Sequence, residues 1–407
     1  MAAPTRNEML RNAHGNNIRD STLMQVNGDY HHNQYNQNHY NNFVSPEVRK
    51  QEALRRLFEH IAPGAFHDSA ERRDPPKCHP HTREAVIRDI LAWARKPANL
   101  RLLMWIYGPA GAGKSAIMQT IAEYCAHLGI LGGSFFFFRS AEKRNITDHL
   151  IPTLAYQLSR RVPHFEDHLV TAILGDWAVF SRNMESQMKT LILGPMAAAA
   201  ADNSHSSQSF YVMLVDGLDE CQLEASHREV IDLLSSSASP HLRFIIASRP
   251  ELAIRQSFSI PYVQNQTQTL ALDDNYLPDN DIWRFLQDKF LDIQRTHMLR
   301  HLLPQDWPGS NIMDTLVHNS SGQFIYAATI IRYIESPRHS PIEHLATVLR
   351  AQLSPEQPDT PFALLDALYH QIFGAVADLT AVLDIFRVML SDTHDKAEDA
   401  IILTKSS

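Results

Sequence analysis

The chain has 407 residues, of which 44% are hydrophobic, which suits about two or three domains with real cores. Its formal net charge of −8 offers no overall basic field to nucleic acid or anionic membranes, and its three cysteines lie too far apart for a disulfide or zinc spacing. No stretch approaches the roughly 18 apolar residues of a membrane span, and the N-terminus lacks the apolar core of a secretory signal, so we expect a cytoplasmic protein.

The first part of the chain, residues 1–45, differs in composition from the rest. The stretch from Gln25 to Phe43 is rich in Asn, Gln, His and Tyr, and it has too few aliphatic side chains to form a core by itself. One interpretation is a disordered tail. The other is a self-templating β-segment, since Asn and Gln ladders and stacked tyrosines stabilise cross-β assemblies.

Residues 46–77 predict an amphipathic helix followed by a linker. Apolar residues recur at helical spacing up to about His60, and Pro63 ends the pattern. The run RRDPP at 72–76 is typical of an exposed linker. A second helical pattern opens at Arg83 and leads towards the next strand.

A complete phosphate-binding loop follows a short apolar run, LLMWIY at 102–107, which predicts a buried strand. The loop consists of Gly108, Pro109, Ala110, Gly111, Ala112, Gly113, Lys114 and Ser115. This G-x-x-x-x-G-K-[ST] pattern puts glycines where the backbone wraps a polyphosphate, a lysine at the β/γ oxygens and a hydroxyl at Mg²⁺. Ile117, Ile121 and Cys125 share one face of a predicted helix, whose N-terminal N–H groups favour anions.

Strand and helix patterns then alternate. Phe135 to Phe138 predict a second buried strand, with Arg139 at its end as a weaker candidate for the site. Leu150 to Leu158 and Met184 to Leu193 predict helices. We expect Ala197 to Gln208, which are small and polar, to form a loop.

The second site motif, DGLDE, follows a third predicted strand at Phe210 to Val215. A carboxylate at the end of such a strand supports Mg²⁺ in P-loop proteins, so we assign this role to Asp216, with Ser115 as the other metal ligand. Asp219 and Glu220 lie just beyond, and either carboxylate could polarise an attacking water. We prefer Asp219.

A fourth apolar run, LRFIIA at 242–247, predicts another strand and ends at Arg249, which could sense a γ-phosphate. Strands that alternate with helices predict an α/β fold with a doubly wound, mostly parallel sheet, and ligands bind such sheets at the carboxyl ends of the strands. From about Asp279 only helical patterns recur, so an all-helical domain should follow the P-loop NTPase domain. Among them, Ile282, Leu286 and Phe290 share one helix face, and further helical runs lie at Phe324 to Ile334 and at Leu379 to Leu390.

The order of P-loop, DGLDE and IIASRPE resembles the NACHT family of P-loop NTPases, in the signal-transducing STAND class. More narrowly, the chain is similar to fungal NACHT proteins and to the nephrocystin-type N-terminal NTPase domain. Further stretches carry this likeness: CHPHTR at 78–83, FFFFRSAEKRN at 135–145, LAYQL at 154–158 and SGQFIYAAT at 321–329. The resemblance spans roughly residues 78–390.

The resemblance implies a molecular switch. In such proteins ADP holds a closed state, exchange for ATP allows homo-oligomerisation, and slow hydrolysis resets the molecule. It implies a role in signal transduction of the innate-immunity or cell-death kind, with an unknown signalling partner. It also implies that Gly113, Lys114 and Ser115 hold phosphates and Mg²⁺, and that the sensor strand lies between the P-loop strand and the DGLDE strand.

Two departures from the family pattern stand out. The resemblance implies ATP/ADP with Mg²⁺ as the cofactor. The G-x-P motif that contacts adenine in related switches is Gly322-Gln323-Phe324 here, which leaves GTP open as the alternative. The 78–83 loop is the candidate wall of the base pocket. The chain also ends where a winged helix would begin, which fits either a short form without a sensor or a truncated gene model.

Together these observations predict five parts. They are a low-complexity segment at 1–45, a helix and linker at 46–77, an NTPase domain at 78–265, a helical domain at 266–355, and an incomplete winged-helix-like region at 356–407.

Two hypotheses account for these motifs. The first is the regulated switch. The second is a nucleotide-binding scaffold without turnover, in which the N-terminal segment mediates self-assembly. A small-molecule kinase is disfavoured because DGLDE followed by SRPE is the wrong motif order, and a DNA-remodelling ATPase is disfavoured because the chain has no basic stripe.

Overall fold

Five strands form one parallel sheet. They are β1 (Leu103–Tyr107), β2 (Leu131–Phe136), β3 (Tyr211–Asp216), β4 (Leu242–Ser248) and β5 (Thr267–Ala271). Their order across the sheet is β2-β3-β4-β1-β5. The strand that carries the sensor motif, β4, therefore lies between the P-loop strand and the DGLDE strand, which confirms the order that the resemblance implied.

This computed structural model describes residues 45–387, apart from 73, 97–100, 203–209, 274–275, 277, 338, 352–362, 375–379 and 381. The helices up to β4 are α1 (Pro46–Glu59), α2 (Glu84–Arg95), α3 (Lys114–His127), α4 (Leu150–Ser159), α5 (Phe165–Gly175), α6 (Met184–Gln187), α7 (Gly194–Asp202) and α8 (Glu224–Ser237). The later helices are α9 (Leu252–Phe258), α10 (Pro261–Gln266), α11 (Pro278–Thr296), α12 (Ser310–Ser320), α13 (Phe324–Ile334), α14 (Pro341–Ala351) and α15 (Ala363–Gly374).

The sheet carries a hydrophobic core on each face. Successive strand side chains point to opposite faces, so Trp105 and Phe244 enter one core while Met104 and Ile245 enter the other. Helices cover both faces, which is why the strands are apolar along their whole length. The predicted α/β fold with a doubly wound parallel sheet is confirmed.

The segment before the P-loop strand belongs to one of these cores. Ala53, Leu57 and Ile61 are fully buried with the residues of the first face. The backbone N–H of Ala62 donates to Thr153 Oγ1 at 2.9 Å, which fixes the end of this segment to α4. The amphipathic helix predicted to end near His60 is confirmed as α1.

Two local predictions were wrong. The second strand ends at Phe136, because the chain turns back so that the N–H of Phe138 donates to the carbonyl of Arg144 at 2.9 Å, and the Phe138 ring is left exposed. Residues 197–202 are not a loop but the end of α7, since an alanine run has high helix propensity and Ala199 is buried. The rest of that predicted loop lies outside the described residues.

A further difference concerns the middle of the chain. The helix predicted from Met184 to Leu193 is an α-helical turn that continues as a π-helix at Met188–Leu193. The helix α5 and the strand β5 were not predicted.

The helical region behind the sheet has its own core. Ile282, Leu286 and Phe290 of α11 are buried in it, as their spacing predicted, and α13 has the predicted bounds. Of the helix predicted from Leu379 to Leu390, the described residues 380 and 382–387 are helical, while 379, 381 and 388–390 lie outside the described residues. The five domain boundaries stay predictions. Among the described residues, no helix is both long and apolar enough to cross a membrane.

Candidate functional site

The phosphate-binding loop joins β1 to α3 through two left-handed glycines. Gly111 has φ +77° and Gly113 has φ +90°, which are conformations that L side chains rarely adopt. A Cβ at Gly111 would overlap Ile325 Cγ2 of α13, so the loop packs directly against the helical region. A Cβ at Gly113 would meet nothing within 4 Å, so this glycine faces open space at the start of α3. An anion could approach the backbone N–H groups there.

Lys114 folds along the loop that precedes it. Its Nζ donates to the carbonyls of Gly108 at 2.8 Å and of Pro109 at 2.9 Å. Burial lowers the pKa of Lys114, while the carboxylates of Asp219 and Asp216 raise it. The ammonium therefore lies within the field of the DGLDE carboxylates, as the two motifs predicted.

Asp216 lies at the end of β3 and is only 4% exposed. Burial raises its pKa to about 6, while the Ser115 hydroxyl, which donates to the carboxylate, and the charge of Arg72 lower it. A hydroxyl beside a carboxylate is the oxygen donor set that Mg²⁺ takes in phosphate sites. The described residues contain no group of three or more His, Cys, Asp or Glu placed to hold a metal, so a Mg²⁺ ion here would need further ligands such as phosphate oxygens and water.

The other two DGLDE carboxylates follow on a short 3₁₀ turn, Leu218–Glu220. Asp219 is 5% exposed and accepts two contacts from Arg249: its Oδ1 takes the backbone N–H at 2.9 Å, and its Oδ2 lies 3.2 Å from Nε. The sensor arginine and the preferred water-handling carboxylate are thus directly paired.

Glu220 is held from the opposite side. Its Oε2 accepts the backbone N–H of Arg139 at 3.2 Å, and Nη2 of Arg139 donates to the carbonyl of Asp219 at 3.1 Å. Burial raises the pKa of Glu220, and the N–H of Arg139 lowers it. Arg139, a weaker candidate from the sequence, therefore supports the turn that carries both carboxylates.

Two arginines near Asp216 were missed. The Arg72 guanidinium lies 3.5 Å from the centre of the Phe136 ring and donates to Gln119 Oε1 at 2.7 Å, so the prediction of an exposed linker is wrong here. Burial lowers the pKa of Arg72 to about 10. Arg144 donates from Nε to the carbonyl of Phe136 at 3.0 Å. The Arg72 contacts join segments distant in sequence, so no local pattern could have predicted them.

A single cavity of about 500 Å³ contains residues from all three motifs. The predicted residues that line it are Gly111, Gly113, Lys114, Ser115, Asp216, Asp219, Glu220 and Arg249. Gly108, Pro109, Ala110 and Ala112 are not among its lining residues. The opposite wall comes from the 78–83 loop and from α11, α13 and α15, through residues such as Phe285, Phe324 and Tyr369. The sequence predicted only the loop.

Arg83 connects the two walls. It is 4% exposed and has φ +56°, an uncommon left-handed conformation for a side chain of this size. Its Nη2 donates to the P-loop carbonyl of Ala112 at 3.1 Å, and its guanidinium lies 4.8 Å from the ring centre of Phe324. Its backbone N–H donates to Asp281 Oδ2 at 2.9 Å. The helical region is therefore tied to the P-loop itself.

A larger open groove of about 900 Å³ lies elsewhere, between α5, the π-helix, α7 and α8. None of the predicted site residues lines it. The motifs therefore converge on the smaller cavity.

Solved structures show only a distant likeness. C. elegans PCH-2 matches with a TM-score of 0.36 at 11% identity, over 78% of this chain and 72% of that one. Drosophila ORC bound to GC-rich DNA and Cdc6 matches with a TM-score of 0.29 at 10% identity, over 86% of this chain but only 55% of that one. Drosophila ORC bound to DNA matches with a TM-score of 0.30 at 11% identity, over 92% of this chain and 68% of that one. Likenesses this weak carry no functional argument.

Comparison with curated proteins found no match. The sequence does match a protein-family model described as "Nephrocystin 3, N-terminal", over residues 82–249. That stretch contains the P-loop, DGLDE and Arg249, so it includes every residue of the predicted site. Residues 82–249 are thus similar to the nephrocystin 3 N-terminal family, which was one of the two resemblances noted in the sequence.

Proposed function

We propose that this chain is a nucleotide-binding switch that hydrolyses ATP, or GTP, slowly. One observation carries the proposal: Lys114, the Ser115–Asp216 pair, Glu220 and Arg249 line one cavity at the carboxyl ends of β1, β3 and β4. Ligands bind open α/β sheets at this edge. Positive groups for phosphates and oxygen ligands for Mg²⁺ lie together there, and the match to the nephrocystin 3 N-terminal family adds support.

Each residue has a proposed task. The N–H groups at the start of α3 bind the phosphates, with Gly108 to Ala112 shaping the loop, and Lys114 exchanges its carbonyl contacts for the β/γ oxygens. Ser115 and Asp216 hold Mg²⁺, which when bound would neutralise phosphate charge. Arg249 binds the terminal phosphate.

For hydrolysis, we propose that Glu220 orients the attacking water and accepts its proton as the water oxygen bonds to the γ-phosphorus. The bond between that phosphorus and the β–γ bridging oxygen then breaks, releasing nucleoside diphosphate and phosphate. Glu220 is favoured over Asp219 because Arg249 engages both carboxylate oxygens of Asp219. The raised pKa of Glu220 also makes it a better proton acceptor near neutral pH.

The resemblance to NACHT proteins extends the proposal. We propose that nucleotide exchange drives homo-oligomerisation in a signalling pathway in the cytoplasm. The contacts of Arg83 with the P-loop and with α11 support this, because they connect the nucleotide cavity to the helical region. Such a connection is what a switch requires in order to convert a change of ligand into a change of assembly.

The test is nucleotide binding, phosphate release and molecular mass of the full chain with ATP, ADP and GTP. Lys114→Ala should abolish binding, whereas Lys189→Ala, which removes an exposed lysine at the other groove, should not. A larger assembly with ATP than with ADP would support the switch. Binding without turnover, and with the same molecular mass in ATP and in ADP, would favour the scaffold, and no binding would refute both.

A further inference from the structure

Both oxygens of one carboxylate in the cavity contact the same neighbouring residue. Asp219 accepts the backbone N–H of Arg249 with Oδ1 and pairs with its Nε through Oδ2. The Asp219 side chain is 6% exposed, while that of Arg249 is 53% exposed. A buried carboxylate used in this way is placed to hold the arginine, and it has little capacity left to orient a water.

The pairing of β3 with β4 brings Asp219 and Arg249 together. Asp216 of β3 lies in register with Ala247 of β4, and the N–H of Gly217 extends the ladder by donating to the Ala247 carbonyl at 2.9 Å. The residue before Arg249 is fixed as well, because Trp105 Nε1 donates to Ser248 Oγ at 2.9 Å. The backbone is therefore restrained on both sides of the Asp219–Arg249 contact.

The remaining donors of Arg249 stay available. Within the part of the chain that the structure describes, Asp219 is the partner of its Nε, and no acceptor contacts either Nη group. A guanidinium can keep one carboxylate at Nε while its two Nη groups bind a phosphate. Arg249 also lines the same cavity as Lys114 and Ser115, so its side chain borders the site proposed for a terminal phosphate.

We propose that Asp219 is a positioning residue that presets the Arg249 guanidinium for the terminal phosphate, and that it does not handle the attacking water. This inference rests on the proposed nucleotide site. A free arginine loses rotamer entropy when it is ordered, and an arginine that is already anchored loses less on binding. The consequence is specific: Asp219 should affect discrimination between nucleoside triphosphate and diphosphate.

The experiment measures the affinity of the full chain for ADP and for a non-hydrolysable ATP analogue. In Asp219→Asn the amide could still accept the N–H of Arg249, but its NH₂ would face Nε, so the anchor is lost. We expect about tenfold weaker binding of the analogue and less than about twofold change for ADP. Arg249→Ala should give the same loss, and the double variant should lose no more, because the two residues act as one unit.

Two further variants serve as an independent test and as a negative control. Arg249→Lys retains the charge on an exposed side chain but lacks the fork that binds Asp219 and phosphate together, so it should reproduce the loss even if Asp219→Asn folds poorly. Arg255→Ala removes an arginine of α9 that lies outside the cavity, and it should leave the ATP-to-ADP ratio unchanged.

Other outcomes overturn the inference. If Asp219→Asn abolishes phosphate release but keeps the ATP-to-ADP affinity ratio, Asp219 handles the water. If the losses of the two single variants add in the double variant, the residues act separately. Failure of the proposed function looks different, since wild type would then bind neither nucleotide or Lys114→Ala would bind as well as wild type, and both proposals would fall.

Discussion

Replacing Gly111 with alanine should weaken nucleotide binding between about fivefold and thirtyfold. At φ +77° a side chain destabilises the observed loop conformation by about 1–2 kcal/mol, which corresponds to that range of populations. The added methyl would also overlap Ile325 Cγ2 and lie 3.2 Å from Ile325 Cβ, so the P-loop and α13 would be pushed apart. Titration with a fluorescent nucleotide measures the change in affinity, and thermal unfolding verifies that the variant is folded.

Two control variants separate the effect of backbone strain at Gly111 from the effect of the overlap with Ile325. Gly129→Ala imposes a similar backbone strain, at φ +72°, but the added Cβ would meet nothing within 4 Å. Because Gly129 lies in the turn after α3, this variant should lower the stability of the protein without changing its affinity for nucleotide. Ile325→Ala removes the overlapping methyl, so the double variant with Gly111→Ala should bind better than Gly111→Ala alone and worse than wild type. Wild-type affinity in Gly111→Ala, or no recovery in the double variant, would refute the reasoning.

Three further predictions test the core and the titrating groups. Phe165→Ala should lower the free energy of unfolding by about 3–5 kcal/mol because the ring is fully buried. Phe138 is 47% exposed, so Phe138→Ala should lower it far less. Equal losses of the two variants in chemical denaturation would contradict this reasoning. Burial lowers the pKa of His67 below its ordinary value of 6.5, so below pH 6.5 the unfolded chain binds a proton at this residue more readily than the folded chain does. The free energy of unfolding should therefore fall as the pH drops below 6.5. In His67→Gln the temperature of thermal unfolding should depend less on pH over this range. An unchanged dependence would mean that another group causes it. Because the carboxylate of Glu220 must be ionised to accept a proton and burial raises its pKa, phosphate release should rise with pH. Glu220→Gln cannot accept the proton and should lower phosphate release at every pH, and a wild-type rate in this variant would contradict the assignment.

Much of the sheet was predictable because its central strands are buried on both faces. Such strands read as continuous apolar runs, as in LMWIY and LRFIIA, and the glycine and lysine pattern of the P-loop has a direct backbone meaning. The strand β5 escaped notice because TQTLA lies at the sheet edge, where polar side chains reach solvent and the pattern weakens.

The site was predictable as a set of residues but not as a set of contacts. The pairing of Asp219 with Arg249 depends on β3 and β4 being neighbours, which local spacing does not encode. Arg72 shows the same limit, since a run of charges and prolines is usually exposed and only the Phe136 ring and Gln119 bring its guanidinium inside. Tertiary contacts thus decided the roles that residue type alone left open.

The strand order also bears on how the chain can be made. The strand β1 emerges early during synthesis, yet both of its neighbours, β4 and β5, emerge late; Trp105 and its hydrogen-bond partner Ser248 are 143 residues apart. Until then β1 is an apolar strand with two unpaired edges, the kind of segment that associates with other chains. The P-loop attached to it cannot acquire its final support before most of the sheet exists. Newly made chains should therefore depend on protection from aggregation until residues near 270 have left the ribosome.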